Sequence, residues 1–172
     1  MKSLLLALGL ALCCFVQAEW KEVTTTSIED KGRWMTFAVA TNSTDALEHL
    51  KYLPAFAADI STPEENVISI SALIHMPDGC KNVTYQFKRG EDGKYRGVLD
   101  DTTVTVESMK SQGEFVMSTI SVGNEFRSSA LHSRTVNQNP EIIQKFKEEC
   151  KRLGFTEQQI VVLDPTGNAI QS

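Results

Sequence analysis

The stretch that decides the fold is VISISALIHMPDGCKNVTYQFK, residues 67–88. Its first half alternates, with Ile68, Ile70, Ala72 and Ile74 on one face and Ser69 and Ser71 on the other. A period of two is that of a strand with one buried face. Pro77-Asp78-Gly79 is a turn signal. The alternation resumes over 80–88, with Val83, Tyr85 and Phe87 facing one way and Asn82, Thr84 and Gln86 the other. The stretch reads as two half-buried strands joined by a turn.

The same rhythm extends in both directions. Upstream, GRWMTFAVA (32–40) is rich in β-formers and breaks at Asn42-Ser43-Thr44-Asp45. Residues 53–60 form a weaker strand, with Pro54 near its start, where proline is tolerated. Downstream, Gly90-Glu91-Asp92-Gly93 is a hairpin turn, and strands are expected over 94–99, 102–109, 114–121 and 125–134. Strands of about ten residues with turns between them are the pattern of an all-β meander. The period then changes. Asn139 is a helix N-cap, Pro140 suits the first helical position, and Ile142, Ile143, Phe146, Cys150 and Leu153 recur at three and four. A helix is therefore expected over 140–153, ended by Gly154. One more short strand follows over 159–163. An eight-stranded antiparallel up-and-down sheet can close into a β-barrel, which removes its edges and leaves room for side chains and one small ligand.

The N-terminus, MKSLLLALGLALCCFVQA, is an address rather than part of the fold. Lys2 precedes an uncharged apolar run, and Val16 and Ala18 place small residues at the −3 and −1 positions of a cleavage site. The run is shorter than the ~20 residues of a spanning helix. The expectation is a signal peptide over 1–18, a single domain over 19–172, and a secreted, extracellular product. Cys13 and Cys14 leave with the signal. Cys80 and Cys150 remain, and two cysteines in an oxidising compartment point to one disulfide. Asn42-Ser43-Thr44 and Asn82-Val83-Thr84 are N-glycosylation sequons.

Composition excludes several classes. The 172 residues carry 17 Lys+Arg against 22 Asp+Glu, a net charge of −5, which argues against a nucleic-acid partner. No stable membrane insertion is expected. The three histidines, His49, His75 and His132, show no metal-ligand spacing with the cysteines, so no metal and no cofactor is expected. His49 and His75 are read as solvent-facing loop residues. The carboxylate pairs, such as Glu64-Glu65 and Glu148-Glu149, are read as solvated surface. No serine–histidine–acid set can be placed around His132, so no catalytic residue is assigned.

Several motifs resemble those of the lipocalin family. Gly32-Arg33-Trp34 at the start of the first strand is similar to that family's GxW motif, and the apolar strand after it ends in Ala40-Thr41-Asn42, like its Ala-x-Asn. Leu131-His132-Ser133-Arg134-Thr135 resembles its third motif, whose key element is the arginine. The helix, Leu153-Gly154-Phe155 and Ile160-Val161-Val162-Leu163 follow in lipocalin order. The resemblance implies a barrel whose closed end is plugged by Trp34, with Arg134 across the indole, a cation–π contact worth about 0.5–2 kcal/mol. The second motif, Thr-Asp-Tyr, is replaced by Glu107-Ser108-Met109-Lys110. Family members commonly join a cysteine near Cys80 to one in the C-terminal tail, but this tail has none. That leaves a Cys80–Cys150 bridge, two unbridged thiols or an intermolecular bond. One enzymatic branch of the family isomerises a prostaglandin through a thiol on an early barrel strand. This chain has no cysteine between Trp20 and Gly79, so an enzyme is not expected.

By alternation, the pocket-lining residues are Thr36, Ala38 and Ala40 on the first strand and Leu53, Ala55 and Ala57 on the second. Ile68, Ile70 and Ala72 face Val83, Tyr85 and Phe87; Phe115 and Met117, then Ala130 and His132, complete the wall. An apolar lining with a few polar groups is how small-ligand sites are built. The resemblance implies binding and transport of a small hydrophobic ligand, of odorant, pheromone, retinoid or fatty-acid type. No inward Lys or Arg is expected beyond Arg134, which disfavours a charged ligand such as a catecholate siderophore. The alternative is a filled barrel acting through its outer surface, as an interaction or immunomodulatory partner, with a receptor or a second copy bound outside.

Overall fold

The computed structural model describes residues 20–22, 32–76, 79–99, 102–135 and 138–165. The expected signal peptide, 1–18, lies outside them. Among the described residues ten strands follow one another: β1 Lys21–Glu22, β2 Gly32–Thr41, β3 Phe56–Ser61, β4 Val67–Met76, β5 Gly79–Arg89, β6 Tyr95–Leu99, β7 Thr102–Gln112, β8 Phe115–Val122, β9 Phe126–Ser133 and β10 Ile160–Val162. Helix α1, Thr44–Leu50, lies between β2 and β3, and α2, Pro140–Arg152, between β9 and β10. Neighbours from β2 to β9 pair antiparallel in chain order, and β9 returns to β2. The result is a closed eight-stranded antiparallel barrel, as the meander predicts.

Helix α1 is an addition to the expected elements. Ser43 caps it, its hydroxyl accepting from the Ala46 amide at 3.3 Å, and Asp45 sits in the first turn, where a carboxylate favours the helix dipole. The second strand consequently starts at Phe56 rather than at residue 53.

β2 organises the barrel. Along one edge, Gly32 to Thr36 pair with β3, and Ala38 to Ala40 pair with β10. Along the other edge it pairs with β9, with a bulge between Thr36 and Ala38. Trp34 is buried at its lower end, and the Arg134 guanidinium lies 4.2 Å above the indole centroid while donating to the Arg33 carbonyl at 3.1 Å. Gly32 has φ 117, and a Cβ there would stand 3.1 Å from Arg134 Nη1. Both observations explain why a glycine opens this motif.

Helix α2 covers the outer wall of β2, β8 and β9. Asn139 Oδ1 accepts from the Glu141 amide at 2.9 Å, as its capping role predicts. Ile142, Phe146 and Cys150 pack against Phe37, Ala38, Ala40, Phe115, Met117 and Leu131. Glu149, expected on the solvated face, is instead 5% exposed. It accepts from Lys110 Nζ at 2.7 Å and from Arg152 Nη2 at 2.8 Å, so its buried charge is doubly paired.

The expected disulfide is not made. Cys150 is buried under the helix against β2, β8 and β9, whereas Cys80 is exposed on β5, separated from β2 by β3 and β4. Burial, with Glu149 beside it, pushes the Cys150 thiol up to about 12.

Phe146 has no accessible surface, and its removal leaves a cavity. Phe146→Ala should lower the unfolding free energy by about 3–5 kcal/mol in urea titrations, while Glu148→Ala on the exposed face should change it by less than about 0.5 kcal/mol.

Candidate ligand-binding interior

Register decides which side chains face inward. Ile68, Ile70 and Ala72 of β4 stand opposite Phe87, Tyr85 and Val83 of β5, as the alternation predicts. Ile60 and Ala58 of β3 oppose Ile70 and Ala72 and complete that side. Ile68, Phe87, Tyr95 and Val104 form the buried heart of this wall, with Ile60, Ile70, Tyr85, Val106, Ile120 and Val122 packed around it. On the far wall, Ala130 and His132 of β9 face inward with Val116, Ser118, Ile120 and Val122 of β8 and Thr36 and Val39 of β2.

Seven expected lining residues lie elsewhere. Ala38 and Ala40 are outside, beneath α2, because the bulge at Phe37 inserts one residue and reverses the alternation beyond it. Phe115 and Met117 are also outside, beneath the helix. The strand carrying them is apolar on both faces, so its inward set, Val116 to Val122, could not be chosen by alternation. Ala55 and Ala57 line an open groove on the outer wall, because the face of β3 that turns inward is that of Ala58 and Ile60. Leu53 lies before β3 and lines the same groove. The groove measures about 680 Å³ and runs beside Arg33, Asp59, Leu73 and Asn82. His49 is exposed, but in the last turn of α1 rather than in a loop, and His75 belongs to β4.

Many of the inward-facing residues are half-buried rather than fully buried. Ile60, Ile70, Val83, Tyr85, Val106, Ser118, Ile120, Val122, Ala130 and His132 all keep accessible surface. The outward residues under α2, in contrast, are nearly or wholly covered. His132 is the polar centre. Its Nδ1 lies 2.9 Å from Thr36 Oγ1 and its Nε2 lies 2.8 Å from Ser118 Oγ. Burial pushes its pKa down to about 4, so the ring is neutral at physiological pH.

Both sequon asparagines are exposed. Asn42 also ties the β2–α1 junction to the β8–β9 turn, donating to the Glu125 carbonyl at 2.6 Å and accepting from the Arg127 amide at 2.8 Å. Among the described residues no group of His, Cys, Asp or Glu could hold a metal ion, and no helix is long and apolar enough to cross a membrane.

The family model that matches is "Lipocalin / cytosolic fatty-acid binding protein family", over residues 31–167. The chain is 25% identical over 167 residues to the extracellular fatty acid-binding protein of Gallus gallus, covering 95% of this chain and 94% of that one. It is 28% identical over 153 residues to the prostaglandin-H2 D-isomerase of Bos taurus, covering 83% and 80%. The solved structure of an odorant-binding protein superposes with a TM-score of 0.69 at 14% identity, covering 87% of this chain and 99% of that chain.

The neutral ring has a measurable consequence. The unfolded imidazole takes its proton near pH 6.5 and the folded one only near 4. The unfolded state therefore binds more protons in that window, and stability falls as pH drops through it. Urea titrations at neutral pH and at about pH 5 should show this fall, and His132→Asn should reduce it.

Proposed function

Because the chain belongs to the lipocalin family, we propose that it is a secreted carrier of a small hydrophobic molecule held inside the barrel. The observation that carries this reading is that inward apolar positions such as Ile60, Ile70, Tyr85, Val106 and Ile120 are only half-buried on the inner face of a closed sheet. Apolar surface of that kind gains about 25 cal/mol for each Å² covered by a ligand. Residues 1–18 act as the signal peptide, 19–172 form the one domain, and Asn42 and Asn82 carry sugars in this reading. The relative named for extracellular fatty-acid binding supports both the compartment and the ligand class.

Carriage is favoured over catalysis by the position of the thiols. The isomerase relative shows that enzymes occur among similar chains. Here Cys80 stands on the outer wall and Cys150 beneath the helix with a strongly raised pKa, so neither thiol faces the interior. A second reading, action through the outer surface, has one observation in its favour. The outer groove carries Leu73, 56% exposed, at its wall, and Tyr52, 66% exposed, lies close by in sequence.

The fluorescent apolar probe N-phenylnaphthylamine should titrate to saturation near one molecule per chain. Ala130→Phe, which fills the space beside His132, should weaken that binding by about tenfold or more with the far-ultraviolet circular dichroism unchanged. Absence of saturable binding to the unmodified protein would favour the outer-surface reading.

A further inference from the structure

We propose that the sugar on Asn82 lies along the outer groove of the barrel wall and covers Leu73 and Cys80, so that this apolar face is withheld from a second copy of the chain. The inference rests on the part of the proposed function that places a sugar on Asn82, and deepens it by giving that sugar a seat and a task.

The register sets the attachment point against the patch. Leu73 of β4 and Asn82 of β5 are direct partners, and the Cβ atoms of such a pair stand about 5 Å apart. Both lie on the outer face, because their chain neighbours Ala72 and Val83 turn inward. Cys80, two residues before Asn82, shares that face and is exposed. All three line the groove of about 680 Å³, a volume within the range of sites that hold small molecules. Ala55 and Ala57 line it too, and their short side chains leave room beside Leu73. An exposed leucine next to an apolar hollow is the kind of surface through which chains associate.

Sugar chemistry suits this seat. A pyranose ring has C–H faces and a rim of hydroxyls, so one face can lie on Leu73 and the alanines while the rim stays in water. Arg33 and Asp59, an exposed ion pair at 3.6 Å that lines the same groove, offer donors and acceptors to that rim. The contact need not be strong. A covalent link holds the sugar at an effective concentration of about millimolar or above, so an association too weak to form between separate molecules is populated here. The competing occupant is a second copy, which would bury Leu73 and bring two Cys80 side chains together. The bulk of a glycan rooted in the groove wall stands in its way. Asn42 has a different setting, at the β2–α1 junction, with its amide bonded to the Glu125 carbonyl and the Arg127 amide.

The test uses the full chain secreted from a glycosylating host, as the parent, Asn82→Gln, Thr84→Ser, Leu73→Ser and the double variant Asn82→Gln/Leu73→Ser. Asn82→Gln removes the sugar, whereas Thr84→Ser keeps the sequon and the hydroxyl that meets Ser71. N-Ethylmaleimide, followed by peptide mass spectrometry, should label Cys80 about fivefold faster in Asn82→Gln than in the parent or Thr84→Ser. Buried Cys150 should stay unlabelled in all of them. N-phenylnaphthylamine should find about one more weak site per chain in Asn82→Gln than in the parent, and the double variant should lose it. Only the difference between the proteins is read, so the carrier reading can fail without this inference failing. Equal labelling of Cys80, or no added site, in Asn82→Gln would overturn the inference. A parent that sediments as a dimer, and that Leu73→Ser dissociates, would also overturn it, since a second copy then fills the groove. A glycopeptide map with no sugar on Asn82 would overturn both the inference and the sugar assignment, and leave the carrier reading standing. If Asn82→Gln is not secreted, enzymatic removal of the sugar from the folded parent makes the same comparison.

Discussion

β2 carries one residue more than β9 between Thr36 and Ala38, and the barrel's two cores depend on where that residue goes. Below the bulge, Trp34 and Thr36 point into the barrel. Above it, Val39 and Thr41 point in, while Phe37, Ala38 and Ala40 point out. A strand without the bulge would keep a single alternation along its whole length. With it, the lower half supplies the plug and the polar chain to His132, and the upper half supplies a small-residue bed for α2 and an edge for β10. Phe37, the inserted residue, packs edge-on against Phe115 with ring centroids 6.2 Å apart, which anchors the bulge to the outer cluster.

Two apolar layers result, and they differ in density. The outer layer, between the sheet and α2, is closed, with Phe146, Cys150, Ala38, Ala40 and Leu131 showing no accessible surface. Its rim is fixed by charge, where Glu149 gathers Lys110 from β7 and Arg152 from its own helix. The inner layer is looser, with half-buried residues such as Ile60, Ile70, Val106 and Ile120 around a few fully buried ones. The more fully covered of the two layers is thus the one outside the barrel wall.

The legible parts of the fold were those buried on one side only. β4 and β5 alternate cleanly because their outer faces meet water, and Ile68, Ile70, Ala72, Val83, Tyr85 and Phe87 take the expected inward positions. β8 has a helix on one side and the interior on the other, so apolar residues occur in both directions and alternation does not separate the outward Phe115 and Met117 from the inward Val116 and Ile120. Ser118 is silent in the sequence for the same reason, since a lone serine in an apolar strand carries no signal until His132 is placed 2.8 Å away. Helix α1 did have a signal, Ser43 as a cap with Asp45 in the first turn, but it is a helix of only 7 residues, too short for periodicity to register.

The order and number of barrel strands, the capped helix after them, the glycine–tryptophan opening and the distant arginine are all properties of local sequence. Period, turn chemistry and spacing suffice to specify them. What the sequence left open was every choice that depends on a second element arriving: which face of a doubly covered strand turns inward, where the extra residue of β2 is absorbed, and whether Cys80 and Cys150 meet. Tertiary structure decided those, because each is set by the neighbour against which the strand packs. The helix covers one wall, β10 fills the edge that β3 vacates, and their positions turn Ala38 outward and leave Ser118 beside His132.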